Sequence, residues 1–389
     1  MRWVARLFLG VALVVPPALA QTAVEALRGA VDRLGDFDYA ERSEASRTLR
    51  RTDPDVVLPV LLDALRHHPD SYVQFRAAVL FYGFEVATAP TVFEEALGSR
   101  NDRVRAVAYE YFEHAPSRGV VPKLLAALDS ETSEFVRPYL VRALAANDDD
   151  AVVQHRLIQD IDRGEEYFRG AVIEALGDHR ASYAVEPLIR IMSGEGPLRD
   201  DALLALGKIG DRRILVPLSA VQRDADLPLQ PFVSATACLL DVDCEEQFRY
   251  LTDALRYGAS TSSDENQLLL RSAATALAAL AIDGNQQALD ALLSVGLTAG
   301  DAARSPIAIA LGTVTFRNPA LVRAALIGGE MDDAVPEAEL LLLRDAFDIL
   351  DEDFSEERFY TLLRHDYWGS AVASRAHVVA EAAIRTLEF

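Results

Sequence analysis

The chain has 389 residues, of which 60 are acidic and 38 basic, for a formal charge of −22 with half the residues hydrophobic. A surface this acidic repels nucleic-acid phosphates and anionic lipid head groups and favours cationic or neutral partners. The two cysteines have no histidine or further cysteine near them at ligand spacing, which argues against a metal site.

The first segment reads as an address. Arg2 and Arg6 flank the start of an apolar run, Leu7 to Val15, broken by Pro16-Pro17 and closed by Ala18-Leu19-Ala20. A basic n-region, a short h-region and an Ala-x-Ala site predict a cleaved secretory signal over 1–20. The run is too short for an uncleaved anchor across ~30 Å of hydrocarbon. The mature chain is then expected to begin at or near Gln21, with a charge of −24 once Arg2 and Arg6 are gone. No cysteine follows the cleavage site, which argues against a lipid anchor. A periplasmic or secreted protein is expected, with no membrane insertion after cleavage.

From Gln21 onward, apolar residues recur at helical steps and no segment alternates with period two, so an all-α chain is predicted. Residues 21–53 are expected to form an N-terminal capping pair with a polar outer face. Repetition begins at 54. Pro59, Pro90, Pro122, Pro187 and Pro217 each open an apolar run, at steps of 31, 32, 65 and 30 residues, with Gln154 where the missing proline would stand. A second register has the same period: Arg76, Arg105, Arg137, Arg169 and Arg199 each begin a helix. Three residues after them come Val79, Ala108, Leu140, Val172 and Ala202, and seven after come Gly83, Phe112, Leu144, Leu176 and Leu206, one interior stripe.

A helical hairpin repeating near 30 residues implies a stacked solenoid, not a globule with one core. The segments Leu-Arg-Asp-Asp-Ala-Leu-Leu-Ala-Leu-Gly at 198–207 and Phe-Arg-Gly-Ala-Val-Ile-Glu-Ala-Leu-Gly at 168–177 resemble the HEAT family, in its short form shared with bilin lyases. The resemblance covers 54–223 and implies a right-handed α-solenoid. Roughly eleven antiparallel helix pairs fit the mature length at ~33 residues per pair. Residues 224–389 are expected to hold degenerate helical repeats and a C-terminal cap, with helix starts at Asn318-Pro319 and Ser355-Glu356. Cys238 and Cys244 are placed at a hairpin corner, where an oxidising compartment permits a disulfide worth on the order of 2 kcal/mol.

Few residues point to chemistry. The arginine ladder is read as structural, tying repeats to neighbouring corners, because Asp102, Glu134 and Glu166 stand three residues before Arg105, Arg137 and Arg169. A further column, Leu80, Tyr109, Val141, Ile173 and Leu203, reads as interior packing. Aromatics concentrate early, and Tyr72, Phe81, Tyr109 and Tyr139 are the candidate anchors for a protein partner. The histidines read mostly as solvated corner residues. No His-Glu pair occurs, unlike the iron-binding pattern of the HEAT-like deoxyhypusine hydroxylase. The acidic run Asp351-Glu352-Asp353 lacks the glycine of a calcium loop. No catalytic residue, cofactor or metal is therefore expected. The expectation is an exported, monomeric, non-enzymatic scaffold that holds a protein or peptide on its concave face. The alternatives are an enzyme or enzyme accessory of the HEAT-like lyase type, and a structural module of an envelope complex.

Overall fold

The computed structural model describes residues 17–322, apart from 85, 261, 262 and 319, together with Leu342. Eighteen α-helices account for most of them, and among the described residues there is no strand. The body of the expected signal segment, up to residue 16, lies outside the described residues, as does the helix start expected at Ser355-Glu356. No helix of the described residues is long and apolar enough to cross a membrane. The chain divides into two compact units, with the boundary after Phe84.

The first unit holds α1 (Pro17–Arg33), α2 (Tyr39–Arg51), α3 (Pro54–His67) and α4 (Ser71–Tyr82). Its helix starts follow from the sequence. Asp53 accepts the Asp55 N–H at 2.9 Å and Asp70 accepts the Tyr72 N–H at 2.8 Å, satisfying first-turn donors that have no partner inside the helix. Pro54 sits at the first position of α3, where its missing N–H costs nothing. Charged α2 buries only Ala45, Ser46 and Leu49 among its described side chains. α1 packs on α2 and α3, and α3 on α4, around Val31, Leu34, Leu49 and Leu61.

The second unit runs through α5 (Ala89–Ala96), α6 (Asp102–His114), α7 (Val121–Ser130), α8 (Arg137–Ala145), α9 (Ala151–Asp160), α10 (Glu166–Asp178) and α11 (Val185–Ser193). It continues through α12 (Arg199–Ile209), α13 (Leu215–Asp224), α14 (Gln230–Leu239), α15 (Cys244–Ala259), α16 (Asp264–Ile282), α17 (Gln286–Thr298) and α18 (Asp301–Arg317). Each odd helix packs on the even helix that follows it, and the even helices α6 through α18 pack on one another in chain order. Packing between successive odd helices is sparser. The result is a helical-repeat stack whose even helices form its dense layer.

Being packed on two flanks explains their composition. Val79, Ala108, Leu140, Val172 and Ala202 are all at most 1% exposed, and so is the adjoining column of Leu80, Tyr109, Val141, Ile173 and Leu203. The second column is therefore interior packing and not a groove. Phe112, Leu144, Leu176 and Leu206 complete the stripe, whereas Gly83 at the same register is exposed. Close approach needs small residues. A Cβ on Gly177 of α10 would stand 2.6 Å from the Ala205 Cα of α12, and one on Gly207 of α12 would stand 2.8 Å from Leu239 Cδ1 and 3.2 Å from the Thr236 Cα of α14.

Beyond 224 the arginine register is absent but the stacking persists. The helices lengthen, and α16 buries an alanine-rich face that includes Ala273, Ala274, Leu277 and Ala281. Asn318, the C-cap of α18, accepts the Leu321 N–H at 3.1 Å and so opens the next helical turn. Cys238 near the end of α14 and Cys244 at the start of α15 are joined as a disulfide across a corner where Asp241 and Asp243 hold positive φ.

Two measurements check this packing. Gly177→Ala should lower stability by about 2 kcal/mol, because the obstructing atoms are backbone and the usual helical gain from alanine is smaller than the cost of prising two helices apart. Gly98→Ala, whose Cβ would meet only the Glu95 carbonyl at 3.6 Å, should change denaturant midpoints little. Equal midpoints for both variants would contradict the close approach. Unreduced protein should weigh two hydrogens less than reduced protein, and equal masses would refute the Cys238–Cys244 bond.

Candidate functional site

The first turns of α8, α10 and α12 lie side by side and enclose an open cleft of about 550 Å3. Its walls are aromatic. Phe135 is 49% exposed and Tyr167 67% exposed, while Tyr139 is half-buried with its ring centroid 6.1 Å from that of Phe135. Pro138, Ala171, Pro197 and Leu198 add apolar surface, and the charged lining is Arg142, Glu166, Glu174, Asp200 and Asp201, one cation against four carboxylates.

The cation is already engaged. Arg142 Nη2 lies 2.8 Å from Glu174 Oε2. Burial alone would lower the Arg142 pKa, but Glu174, Glu113 and Asp178 outweigh it and raise it above its ordinary value. Burial would likewise raise Glu174, yet Arg142 and Arg317 hold it below the usual carboxylate range. From Glu174 the charges continue away from the cleft. Arg317, the last residue of α18, lies 3.6 Å from Glu174, 3.8 Å from Asp178 and 3.7 Å from Glu113. Lys208 is 2.6 Å from Asp178. His179 belongs to this cluster, with Nε2 4.0 Å from Glu113 and its pKa lowered by burial, so it is not a solvated corner residue.

Asp200 and Asp201 differ from Glu174 in that, among the described residues, no cation is bonded to them. Both stand in the first turn of α12, where the helix dipole favours negative charge. Burial nevertheless raises both, and Asp201 reaches about 6, pushed further by the charges of Asp200 and Glu174. Gly170 makes room for this carboxylate: a Cβ there would stand 3.1 Å from Asp201 Oδ2.

The candidate anchors separate. Tyr139 lines the cleft. Tyr72 is half-buried in the first unit, 5.9 Å from Phe75. Phe81 and Tyr109 are 2% and 1% exposed, so both are core residues and are withdrawn as partner anchors. Tyr109 points inward because α6 packs on both α5 and α8. The Tyr109 hydroxyl is pushed up to about 12, chiefly by burial.

The arginine ladder binds chain and not ligand at four of its five positions. Arg105 forks onto Glu131 with two contacts of 2.7 Å and also donates to the Ser99 carbonyl at 2.9 Å. Its expected partner Asp102 instead accepts the Ser133 hydroxyl at 3.0 Å. Arg137 meets Glu134 at 3.1 Å and lies 3.7 Å over the Phe168 ring. Arg169 and Arg199 donate to the carbonyls of Ile161 and Met192, at the ends of the preceding helices. Arg76 is half-buried on α4. Glu166 faces the cleft, leaving Arg169 to the carbonyl.

Sequence reasoning missed Phe135, Arg142, Tyr167, Glu174, Asp200 and Asp201. They occupy columns two residues before and one to five residues after the ladder arginines, beside the columns that build the interior. Among the described residues no group of three or more His, Cys, Asp or Glu is arranged to hold a metal ion.

No family model matches the chain, and no curated protein matches it. Among solved structures it is similar to Escherichia coli YibA, at 16% identity over 56% of this chain and 81% of that one, with a TM-score of 0.42. It is also similar to a mutant of Kap121p, at 13% identity over 97% of this chain and 46% of that one, with a TM-score of 0.32. With both scores below 0.5, the repeat architecture rests on the packing of this chain itself.

The raised Asp201 makes a signed prediction. A carboxylate whose folded pKa is raised contributes its relative stability in full below the unfolded value near pH 4 and loses it as pH rises through about 6. Asp201→Asn should therefore stabilise the protein at pH 7.5 by about 2 kcal/mol, with the advantage gone by about pH 4. Thermal scans across that range decide it, and an unchanged or lower Tm at pH 7.5 would refute the desolvation account.

Proposed function

We propose that the protein is an exported, non-enzymatic scaffold that holds a protein or peptide partner, with the α8–α10–α12 cleft as a docking point on the concave face. The reading takes the whole chain as a right-handed α-solenoid of about eleven helix pairs, like the short HEAT repeats it resembles. One observation carries it. In a stack whose other apolar columns are interior, Phe135 and Tyr167 stand exposed at equivalent register positions in successive repeats, beside half-buried Tyr139. Exposed aromatics around a recess are what interface anchors look like before a partner covers them. Solenoids bind by extending such contacts along successive repeats, and the acidic surface keeps the free protein soluble.

A second reading, an enzyme or enzyme accessory of the lyase type, draws on Asp201. A carboxyl near pKa 6 in a cleft suits proton transfer near neutrality. The scaffold reading is preferred because Arg142, the cation of the lining, is paired with Glu174 and so is not free to stabilise developing negative charge.

The test is crosslinking and affinity recovery of the mature protein from its native cell envelope. One stoichiometric partner should be recovered, and Tyr139→Ala/Tyr167→Ala should reduce its recovery at least tenfold. Recovery of no partner, together with turnover of a small molecule that Asp201→Asn abolishes, would support the enzyme. Undiminished recovery by the tyrosine variant would remove the cleft as the docking point.

A further inference from the structure

We propose that the occupant of the cleft is a basic side chain, an arginine or a lysine, presented by an extended segment of the partner and received between the aromatic rings and the Asp200–Asp201 carboxylates. The inference rests on the docking reading above and specifies its chemistry.

Charge decides the class of occupant. Of the four carboxylates lining the cleft, Glu174 is neutralised by Arg142 at 2.8 Å. Lys208, whose charge acts on Asp201, is itself held 2.6 Å from Asp178. Among the described residues, Glu166, Asp200 and Asp201 have no ion-pair partner, on a chain that is already strongly acidic. An anionic occupant would meet three uncompensated charges. A neutral apolar one would bury those carboxylates further without satisfying them, which is costly. A cation removes both penalties, and the upward shift of Asp201 marks the unmet demand it would fill.

The walls suit a cation as well. Guanidinium and ammonium groups are attracted to aromatic faces, most strongly where water is excluded. This chain already uses that contact one residue away, where the Arg137 guanidinium lies 3.7 Å over the ring of Phe168. Tyr167 and Phe135 offer the same surface outward. Arginine fits best, since its planar fork stacks on a ring while donating two parallel hydrogen bonds to a carboxylate.

The layout also favours an extended segment. The cleft crosses three helices, and neighbouring axes lie about 8–10 Å apart, so it is about 20 Å long. An extended chain of polyproline II type, at about 3.1 Å per residue, covers that span in about six residues and sets every third side chain on one face, in step with a repeat.

The test uses the mature full-length protein and a fluorescein-labelled peptide with two arginines three residues apart in an alanine-glycine background, titrated at pH 7.5 in ~0.15 M salt. The comparison peptide carries citrulline, the neutral isostere, at both positions. The arginine peptide should bind at least tenfold more tightly than the citrulline peptide. Asp200→Asn/Asp201→Asn should abolish that preference, and Tyr167→Ala should weaken arginine binding several-fold. Glu245→Gln/Glu246→Gln, an equal loss of charge on the first turn of α15, should leave the preference intact. Equal affinity for both peptides, or equal loss in the α15 variant, would overturn the inference. The docking reading fails separately. If a native partner is lost with Tyr139→Ala/Tyr167→Ala but retained with Asp200→Asn/Asp201→Asn, docking stands and the basic occupant falls. If both variants keep the partner, the cleft is not the docking point at all.

Discussion

The constraint on which the second unit depends is the packing of its even helices on two flanks at once. A helix in that position has no solvent face for most of its length, so consecutive residues are buried: Leu140 and Val141, Val172 and Ile173, Ala202 and Leu203. The spacing between such helices is set by the smallest residues on them. At Gly177 against Ala205 and Gly207 against Thr236 and Leu239, backbones approach to a distance that a methyl group would prevent. Interiors packed at crystal-like density transmit such constraints, so a repeat is held in place by its neighbours and not by one shared core.

Charge then fixes what apolar packing leaves free. In the last turns of α6, α10, α12 and α18 stand charged residues that form one connected set: Glu113, Asp178, Lys208 and Arg317. Arg317 is far from the others in sequence, so this set links the last described helix to the middle of the stack. Removing one partner from such a set would leave the rest buried and uncompensated, which costs more than the pair contributes when intact. The cleft sits at the edge of this set. Glu174 belongs to both, pairing with Arg142 at the cleft floor and lying 3.6 Å from Arg317 on the other side.

The fold was legible because the residues that build the stack recur. Prolines and arginines at a period near 30 marked the hairpins, and the apolar columns three, four and seven residues after each arginine are buried almost without exception. Function was less legible for the same reason. The cleft columns change from repeat to repeat: two residues before the arginine stand Phe135, Tyr167 and Pro197, and two after it Tyr139, Ala171 and Asp201. Aromatic type alone misassigned Phe81 and Tyr109, since a large ring fills an interior as readily as it anchors a partner. Register places Tyr109 in the column that is buried in every repeat, whereas Phe81 shares the column of Arg142 and Glu174 and is set apart there only by its burial. Past 224 no arginine marks the repeats, and the longer α15 and α16 pack through Gly258 against the backbone of Leu270, a contact with no periodic signature.

The same comparison separates scaffold from site on energetic grounds. The ladder arginines Arg105, Arg169 and Arg199 each satisfy backbone carbonyls that a helix end or corner would otherwise leave open. Every group in those contacts gains by folding. Asp200 and Asp201 do the reverse: two adjacent carboxylates are drawn out of water, and neither the local N–H groups at Asp200 nor the Lys208 charge near Asp201 offsets the cost in full. A chain selected for stability alone would carry a neutral residue at one of these first-turn positions, avoiding two adjacent desolvated charges. The glycine at 170 increases the contrast, since it gives up helix propensity in α10 and its bare Cα leaves space for the Asp201 carboxylate. Local rules of stability are broken together at one place, and that place is also where aromatic rings are left uncovered. Convergence of these departures, more than any one residue type, sets the cleft apart from the rest of the stack.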